Sequence, residues 1–241
     1  MTKLSVNVNK VATIRNARGK NTPDVLQAAL KIIEYGAHGI TVHPRPDERH
    51  IRWSDVELLK AHISVELNIE GYPTNDFLIK CTDILPAQCT LVPDPPHVLT
   101  SNAGWRMQGN EKTLQTAVPL LKEKGIRVSL FVDPQHITTQ ELLEFRDMGV
   151  DRIELYTEAY ADHFGTPAQK ETTAKYLQCA QLADSMGLEI NAGHDLNLHN
   201  LKHFVQTIPM VKEVSIGHAL VCDALEMGWQ QTVIEYLRCL Y

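Results

Sequence analysis

Several features that would settle the class of this chain at once are missing. No apolar run in its 241 residues reaches the ~18 that a membrane-spanning helix needs. Met1 is not followed by a charged-then-apolar leader, so a cytoplasmic protein is expected rather than an exported or membrane-inserted one. Cysteine is sparse: Cys81, Cys89, Cys179, Cys222 and Cys239 are odd in number and form no CxxC pair, which suits reduced thiols. There is no basic stripe and no block of like charge, and the net charge is −6, so neither nucleic acid nor an anionic membrane is expected as a partner. No low-complexity segment or linker interrupts residues 1–241, which therefore read as one domain.

What is present is an alternation. Short apolar runs at 4–9, 39–43, 65–71, 88–93, 127–133, 152–158, 189–195 and 213–218 are separated by amphipathic stretches such as 22–37, 54–63 and 139–149. Thr22 before Pro23 reads as a helix N-cap, and Gly36 suits that helix's C-terminal end. Successive strand ends lie about 30 residues apart, the length of one βα unit. Eight strands with helices between them predict parallel crossovers, hence an α/β (β/α)8 TIM barrel. An open doubly wound sheet is the competing architecture, but no GxGxxG or Walker loop follows the first strand.

Strand parity makes the barrel unusual. In VELNIE, Val65, Leu67 and Ile69 would face the helices, which turns Glu66, Asn68 and Glu70 inward. The same alternation sends Asn7, Asn9, Thr41, His43, Glu154, Tyr156 and Ser215 inside. Barrel interiors are usually filled by Val, Ile and Leu. A polar, hydrogen-bonded and hydrated interior is expected instead.

Active sites of such barrels lie at the C-terminal strand ends. Those ends here offer Asn7, Asn9, His43, Glu70, Asp133, Glu158, His194 and His218. Two histidines and a glutamate at one mouth can move protons near neutral pH. Glu154 lies deeper, either as a structural carboxylate or as a group that tunes charge in the site. Arg45, Arg49 and His50 form one candidate anion grip. Gly217, before a helix whose N–H groups could meet a phosphate, forms another, and Arg15 and Arg18 add a cationic stretch after the first strand. Two cationic regions suggest two phosphorylated groups. The segment 93–105 lies where a lid belongs. A metal route has only His199 and His203 to call on, and a lysine Schiff-base route only Lys10, because no strand run ends in lysine.

The stretches VNVNKVATIRNARG, GITVHPRPDERHI, VELNIE, CTLVPD, VSLFVD, IELYTEAYAD, INAGHDL and IGHALV, in this order along nearly the whole chain, resemble the pyridoxine 5′-phosphate synthase family. The resemblance implies a (β/α)8 barrel with extra helices, assembled as a homo-octamer. It implies condensation of 1-deoxy-D-xylulose 5-phosphate with 3-amino-2-oxopropyl phosphate to pyridoxine 5′-phosphate, phosphate and water, without metal or organic cofactor. By this resemblance His43 and Glu70 accept protons, His194 donates one and Glu154 stabilises the transition state. Arg45, His50 and Thr100 would bind the deoxyxylulose phosphate; Asn7, Arg18, Asp195, Gly217 and His218 would hold the amino-ketone phosphate. The chain departs from the family where Asn9 and Lys10 replace a common Asp-His pair expected to touch the deoxyxylulose phosphate. Asp195 likewise stands where glycine commonly follows the proton-donor histidine. The rival readings are a metal- or lysine-dependent aldolase-type barrel and a catalytically silent barrel that binds phosphorylated metabolites.

Overall fold

The structure is a computed structural model that describes residues 1–93 and 103–241. Eight parallel strands close a barrel in sequence order: β1 (Lys3–Asn7), β2 (Gly39–Val42), β3 (Glu66–Gly71), β4 (Gln88–Leu91), β5 (Arg127–Val132), β6 (Arg152–Tyr156), β7 (Glu189–His194) and β8 (Val211–Ile216). Closure is made by β1 against β8, with Ser5 opposite Ser215. The helices are α1 (Asn9–Asn16), α2 (Val25–Glu34), α3 (Trp53–His62), α4 (Asn75–Ile84), α5 (Glu111–Glu123), α6 (Thr139–Asp147), α7 (Glu158–His163), α8 (Gln169–Ser185), α9 (Leu201–Thr207), α10 (His218–Met227) and α11 (Trp229–Leu240). Two helices follow each of β1, β6 and β8, which supplies the extra helices.

All eight expected strands form, each close to its sequence run. The first ends earlier than its apolar pattern suggested: Asn9 is not an inward strand residue but the first residue of α1. The cap of α2 also differs. Asp24, not Thr22, is the N-cap, and its carboxylate accepts from the Gln27 N–H. A carboxylate beside orphan N–H groups serves this position better than a hydroxyl two residues earlier. Gly36 has φ 111°, a conformation open to glycine, and the helix stops just before it.

Parity divides the barrel wall as anticipated. Leu4, Val6, Ile40, Val42, Leu67, Ile69 and their counterparts on the other strands are buried toward the helices. Burying each such side chain contributes roughly 1.5–3 kcal/mol, so the helix layer rather than the barrel axis holds most of the hydrophobic stabilisation. Inside, Ser5 and Thr41 share a hydrogen bond of 2.7 Å. Asn68 reaches Thr41, and Thr90 donates to Asn68 at 3.1 Å and lies 3.4 Å from Glu154. The chain of contacts thus crosses β1 to β6 through polar atoms alone.

The barrel floor, at the N-terminal strand ends, is ionic. Arg127 donates to Glu66 and to Gln88 (2.8 Å), and Arg152 donates to Glu189 (2.6 Å) and Gln88 (3.2 Å). Glu66 belongs to this floor rather than to the deep interior, and also pairs with Lys3 at 3.7 Å. The Arg127 contacts hold the Glu66 carboxyl below the usual carboxylate range. Among the described residues no helix is long and apolar enough to cross a membrane.

Candidate active site

At the opposite end of the barrel lies a cavity of about 410 Å³. Its polar wall comes from the strand ends. His43 and Arg45 follow β2, Glu70 is the last residue but one of β3, Glu154 rises from β6 and His194 ends β7. Asn7, Asn9, Lys10, His50, Asp195, Ser215, Gly217 and His218 complete the polar lining. Thr100 lies outside the described residues, as does most of the expected lid segment.

The loop after β2 is held by the first turn of α1. Asn7 Oδ1 accepts from the Asn9 N–H at 3.0 Å, and Asn9 Oδ1 accepts from the His43 N–H at 2.9 Å. An amide at position 9 therefore supplies the acceptor that positions the His43 backbone. Asn7 also turns its Nδ2 to Glu70, 3.3 Å away. His43 Nδ1 lies 3.9 Å from the same Glu70 carboxylate. His50 uses Nδ1 to accept from its neighbour's backbone N–H at 2.9 Å, and its ring packs edge-on to His43.

Of the four arginines after β1 and β2 that the sequence offers as anion ligands, Arg15, Arg18, Arg45 and Arg49, only Arg45 lines the cavity, where it is buried. Arg15 is instead a buried brace: it donates to Asp55 and, at 3.1 Å, to the His50 carbonyl. It sits on the inward face of α1, where an unpaired cation would carry a heavy desolvation cost, so the carboxylate of α3 takes it. Arg49 turns to Asp47 at 2.7 Å. Arg18 is exposed in the turn after α1 and does not line the cavity. Lys10 is exposed at the cavity rim.

Burial and neighbouring charge push the titrating groups apart. His43 is driven down to about 3, first by burial and then by the positive charges of Arg45, His50 and Arg49, so its imidazole is neutral. His50 is lowered to about 4 by burial and by Arg45, Lys10 and Arg49. Glu70 is raised to about 7 by burial, against the pull of His194 and Arg45. Glu154 is raised well above the usual range by burial and by repulsion from Glu70 and Glu213, which keeps it a neutral acid. His194 moves the other way. Burial alone would lower it, but the hydrogen bond and charge of Asp195, with Glu70 and Glu158 beyond, raise it. The surroundings thus favour the free base at His43 and the protonated form at His194, and environments that push two groups apart in this way suit one as base and the other as acid.

A further wall was legible only in part: Tyr156 is expected inward from its strand's alternation, but its partners Val92 and Phe131 are not. The three form a small buried apolar cluster, and the Tyr156 ring meets the His194 ring edge-on at 5.0 Å. Val92 and Phe131 line the cavity. The parity of RVSLFV, with Arg127 and Ser129 inward, places Phe131 inward too, so the signal was present. Gly193 is needed for close approach: a Cβ there would overlap the Glu154 carboxylate. Gly217 caps α10 with its backbone against Asn7, and a Cβ would come within 3.0 Å of the Asn7 side chain. Asp133 and Glu158 point elsewhere, to His136 and Tyr156 respectively. His203 bonds Tyr160, His199 is exposed, and among the described residues no three His, Cys, Asp or Glu side chains converge as metal ligands.

A closed (β/α)8 barrel whose mouth holds two histidines in opposite electrostatic surroundings and two carboxylic groups, with Arg45 and Lys10 beside them, defines an acid–base enzyme for small anionic substrates. Residues 4–241 match the family described as pyridoxal phosphate biosynthesis protein PdxJ, and the chain belongs to that family. It is 52% identical to the pyridoxine 5′-phosphate synthase of Parabacteroides distasonis over 100% of this chain and 99% of that one. It is 51% identical to the enzyme of the same name from Cytophaga hutchinsonii, over 99% and 98% of the two chains. Among solved structures, a chain of tryptophan synthase from M. tuberculosis superposes with a TM-score of 0.68 over 99% of this chain and 92% of its own, at 11% identity. Phosphoribosylanthranilate isomerase from Thermotoga maritima does so at 0.58 over 100% and 98%, at 12% identity. These two likenesses bear on the fold alone.

Proposed function

We propose that this chain is a pyridoxine 5′-phosphate synthase, condensing 1-deoxy-D-xylulose 5-phosphate with 3-amino-2-oxopropyl phosphate into pyridoxine 5′-phosphate, phosphate and water. The observation that carries the division of labour is that one cavity holds two histidines in opposite surroundings, His43 buried beside Arg45 and His50, and His194 against the Asp195 carboxylate. His43 and Glu70 accept protons as the carbon skeleton rearranges, and His194 donates one to the departing oxygen. Glu154, neutral and deep in the barrel, donates a hydrogen bond to developing negative charge. The amino-ketone itself brings the amine for imine formation, so no lysine of the chain is needed for that step.

Arg45 and His50, with Thr100, grip the deoxyxylulose phosphate, and Lys10 adds a positive charge at that rim. Asn9 serves this side through the His43 backbone. Asn7, Gly217 and His218 hold the amino-ketone phosphate at the first turn of α10, where backbone N–H groups favour an anion. Arg18 and Asp195 belong to the same substrate. The cytoplasmic location, the single domain over 1–241 and the homo-octamer are parts of this reading.

The test is to incubate the pure, chelator-treated protein with both substrates and detect pyridoxine 5′-phosphate by mass. Product formation is the expected result. Turnover lost on chelation would favour a metal-dependent barrel, and borohydride trapping on Lys10 a lysine-dependent one. Ordinary substrate affinity without product would leave a silent binder.

A further inference from the structure

Asp195 does something that its neighbourhood does not require of a substrate contact. Its carboxylate turns back on the preceding residue, and Oδ2 lies 2.7 Å from His194 Nδ1. Adjacent side chains on an extended strand point to opposite faces and do not meet in this way. They meet here because His194 has φ 99°, a conformation that a histidine adopts only where its surroundings enforce it.

Those surroundings are identifiable. Thr157 Oγ1 donates to the Gly193 carbonyl at 2.8 Å and accepts from the Asp195 N–H at 3.3 Å. Asn197 and Asn200 both donate to the Asp195 carbonyl, at 3.4 and 3.3 Å. The Tyr156 ring stands edge-on to the imidazole on one side, and Phe131 lies 6.4 Å away on another. The backbone N–H and carbonyl of Asp195 are therefore both engaged within the chain. Its side chain is the part directed at a reacting group.

We propose that Asp195 is a positioning residue for the reaction: its carboxylate fixes the His194 ring through Nδ1 and leaves Nε2 aimed into the cavity as the proton donor. This rests on the reading of His194 as the acid. An ionised carboxylate can only accept, so Nδ1 must carry a hydrogen, and in the cation Nε2 carries the one to be given away. The other charged groups whose field reaches this ring are Glu70 from β3 and, from behind Tyr156, Glu158 at the start of α7, both acidic. Tyr156, from β6, gives its hydroxyl to Glu158. The charges of Asp195, Glu70 and Glu158 thus favour the protonated ring, against burial. The arrangement also reconciles an extra carboxylate with an incoming phosphate. Paired with the imidazolium, Asp195 adds no net negative charge to the mouth.

The test uses full-length protein, histidine-labelled with 15N, as wild type, Asp195→Asn and Asp195→Gly. Asparagine keeps a hydrogen-bonding group of the same shape without the charge, and glycine removes both. The His194 resonances, assigned by their loss in His194→Gln, are titrated in the free protein, and kcat is measured across pH. The expected result is that both variants move the His194 titration and the alkaline limb of kcat to lower pH. On the alkaline side the rate falls up to about tenfold, the factor for one charge-assisted hydrogen bond, and on the acid side it is retained. A His194 titration unmoved in both variants overturns the proposal. So does a uniform loss of rate at all pH, or a raised KM for the amino-ketone alone with an unmoved profile. A wild type that makes no pyridoxine 5′-phosphate refutes the proposed function instead, and the titration still decides the role of Asp195. Should the glycine variant fail to fold, the asparagine variant and the wild-type titration decide it.

Discussion

The two ends of this barrel are built from the same kinds of side chain and use them in opposite ways. On the floor, Arg127 and Arg152 converge with Glu66, Glu189 and Gln88, and each charge faces an opposite charge or an amide oxygen within hydrogen-bond reach. At the mouth, His43 stands 3.9 Å from Glu70, the charge of Glu70 disfavours ionisation of Glu154, and His194 bonds the carboxylate of its neighbour Asp195. Paired charges resist titration, and poorly paired ones are shifted toward neutral pH, where they can exchange protons. The floor holds the barrel shut; the mouth keeps its groups reactive at some expense of stability.

The largest effect expected from this contrast is at Glu70. Glu70→Gln keeps the shape of the side chain and its contact with Asn7 but cannot accept a proton. A fall in kcat of about 10²–10⁴-fold with KM little changed is expected, and melting is expected to be unimpaired. Steady-state kinetics beside a thermal melt measures both. Near-normal kcat would reduce Glu70 to a structural anchor.

On the floor the signs reverse. Arg152→Met removes the partner of Glu189 and Gln88 and leaves the buried Glu213 without its main compensating cation. A loss of about 3 kcal/mol is expected in denaturant unfolding, while kcat of the folded enzyme is unchanged. A variant as stable as the wild type but slower would erase the distinction between the two ends.

Smaller effects separate the two sides of the mouth. Arg45→Ala should weaken the deoxyxylulose phosphate by about 1.5–3 kcal/mol and the amino-ketone less, with Arg18→Ala doing the reverse. Titration calorimetry with each substrate reads this directly. Arg18 is exposed and outside the cavity of one chain, so equal losses for both ligands would remove it from the site.

The smallest effect is one of pH, and its sign follows from the directions of the shifts. Glu70 acts ionised and titrates at about 7, while His43 is already neutral above about 3. The acid limb of kcat/KM should therefore fall near neutral pH and report Glu70. Glu66 on the floor is held low by Arg127, so its contribution to stability is present above the unfolded glutamate range, about 4.3, and is lost only as pH falls below it. Activity should vanish on acidification well before the fold does. A common midpoint for both, by kinetics and circular dichroism, would show that the mouth is no more labile than the floor.

Much of this contrast could be anticipated from particular residues. The alternation in VELNIE placed Glu70 inward at a strand end, and GITVHPR placed His43 and Arg45 just past another. Arg15 could not be told from Arg18, because both follow one strand in a run of cationic residues. Only the packing of α1 on α3 showed that Arg15 is buried against Asp55. The α1 start at Asn9 was hidden for a similar reason. Asn-Val-Asn continues a strand pattern locally, while the hydrogen bonds from Asn7 and Asn9 to backbone groups end it.

The sequence by itself determined the order and spacing of the barrel's elements, the polar face of each strand and the family to which the chain belongs. Those follow from local periodicity and residue identity, which need no knowledge of what packs beside them. The tertiary structure alone decided which charges meet. Glu70 lies 27 positions from His43, and Arg152 lies 64 from Gln88. It also decided which histidine is held neutral and which is favoured to keep its proton, because burial and every charge within several ångströms bear on a protonation state. Asp195 shows the limit most directly. In sequence it is an acidic residue beside a histidine, on the opposite face of a strand. The turned backbone at His194, φ 99°, brings the carboxylate onto the ring.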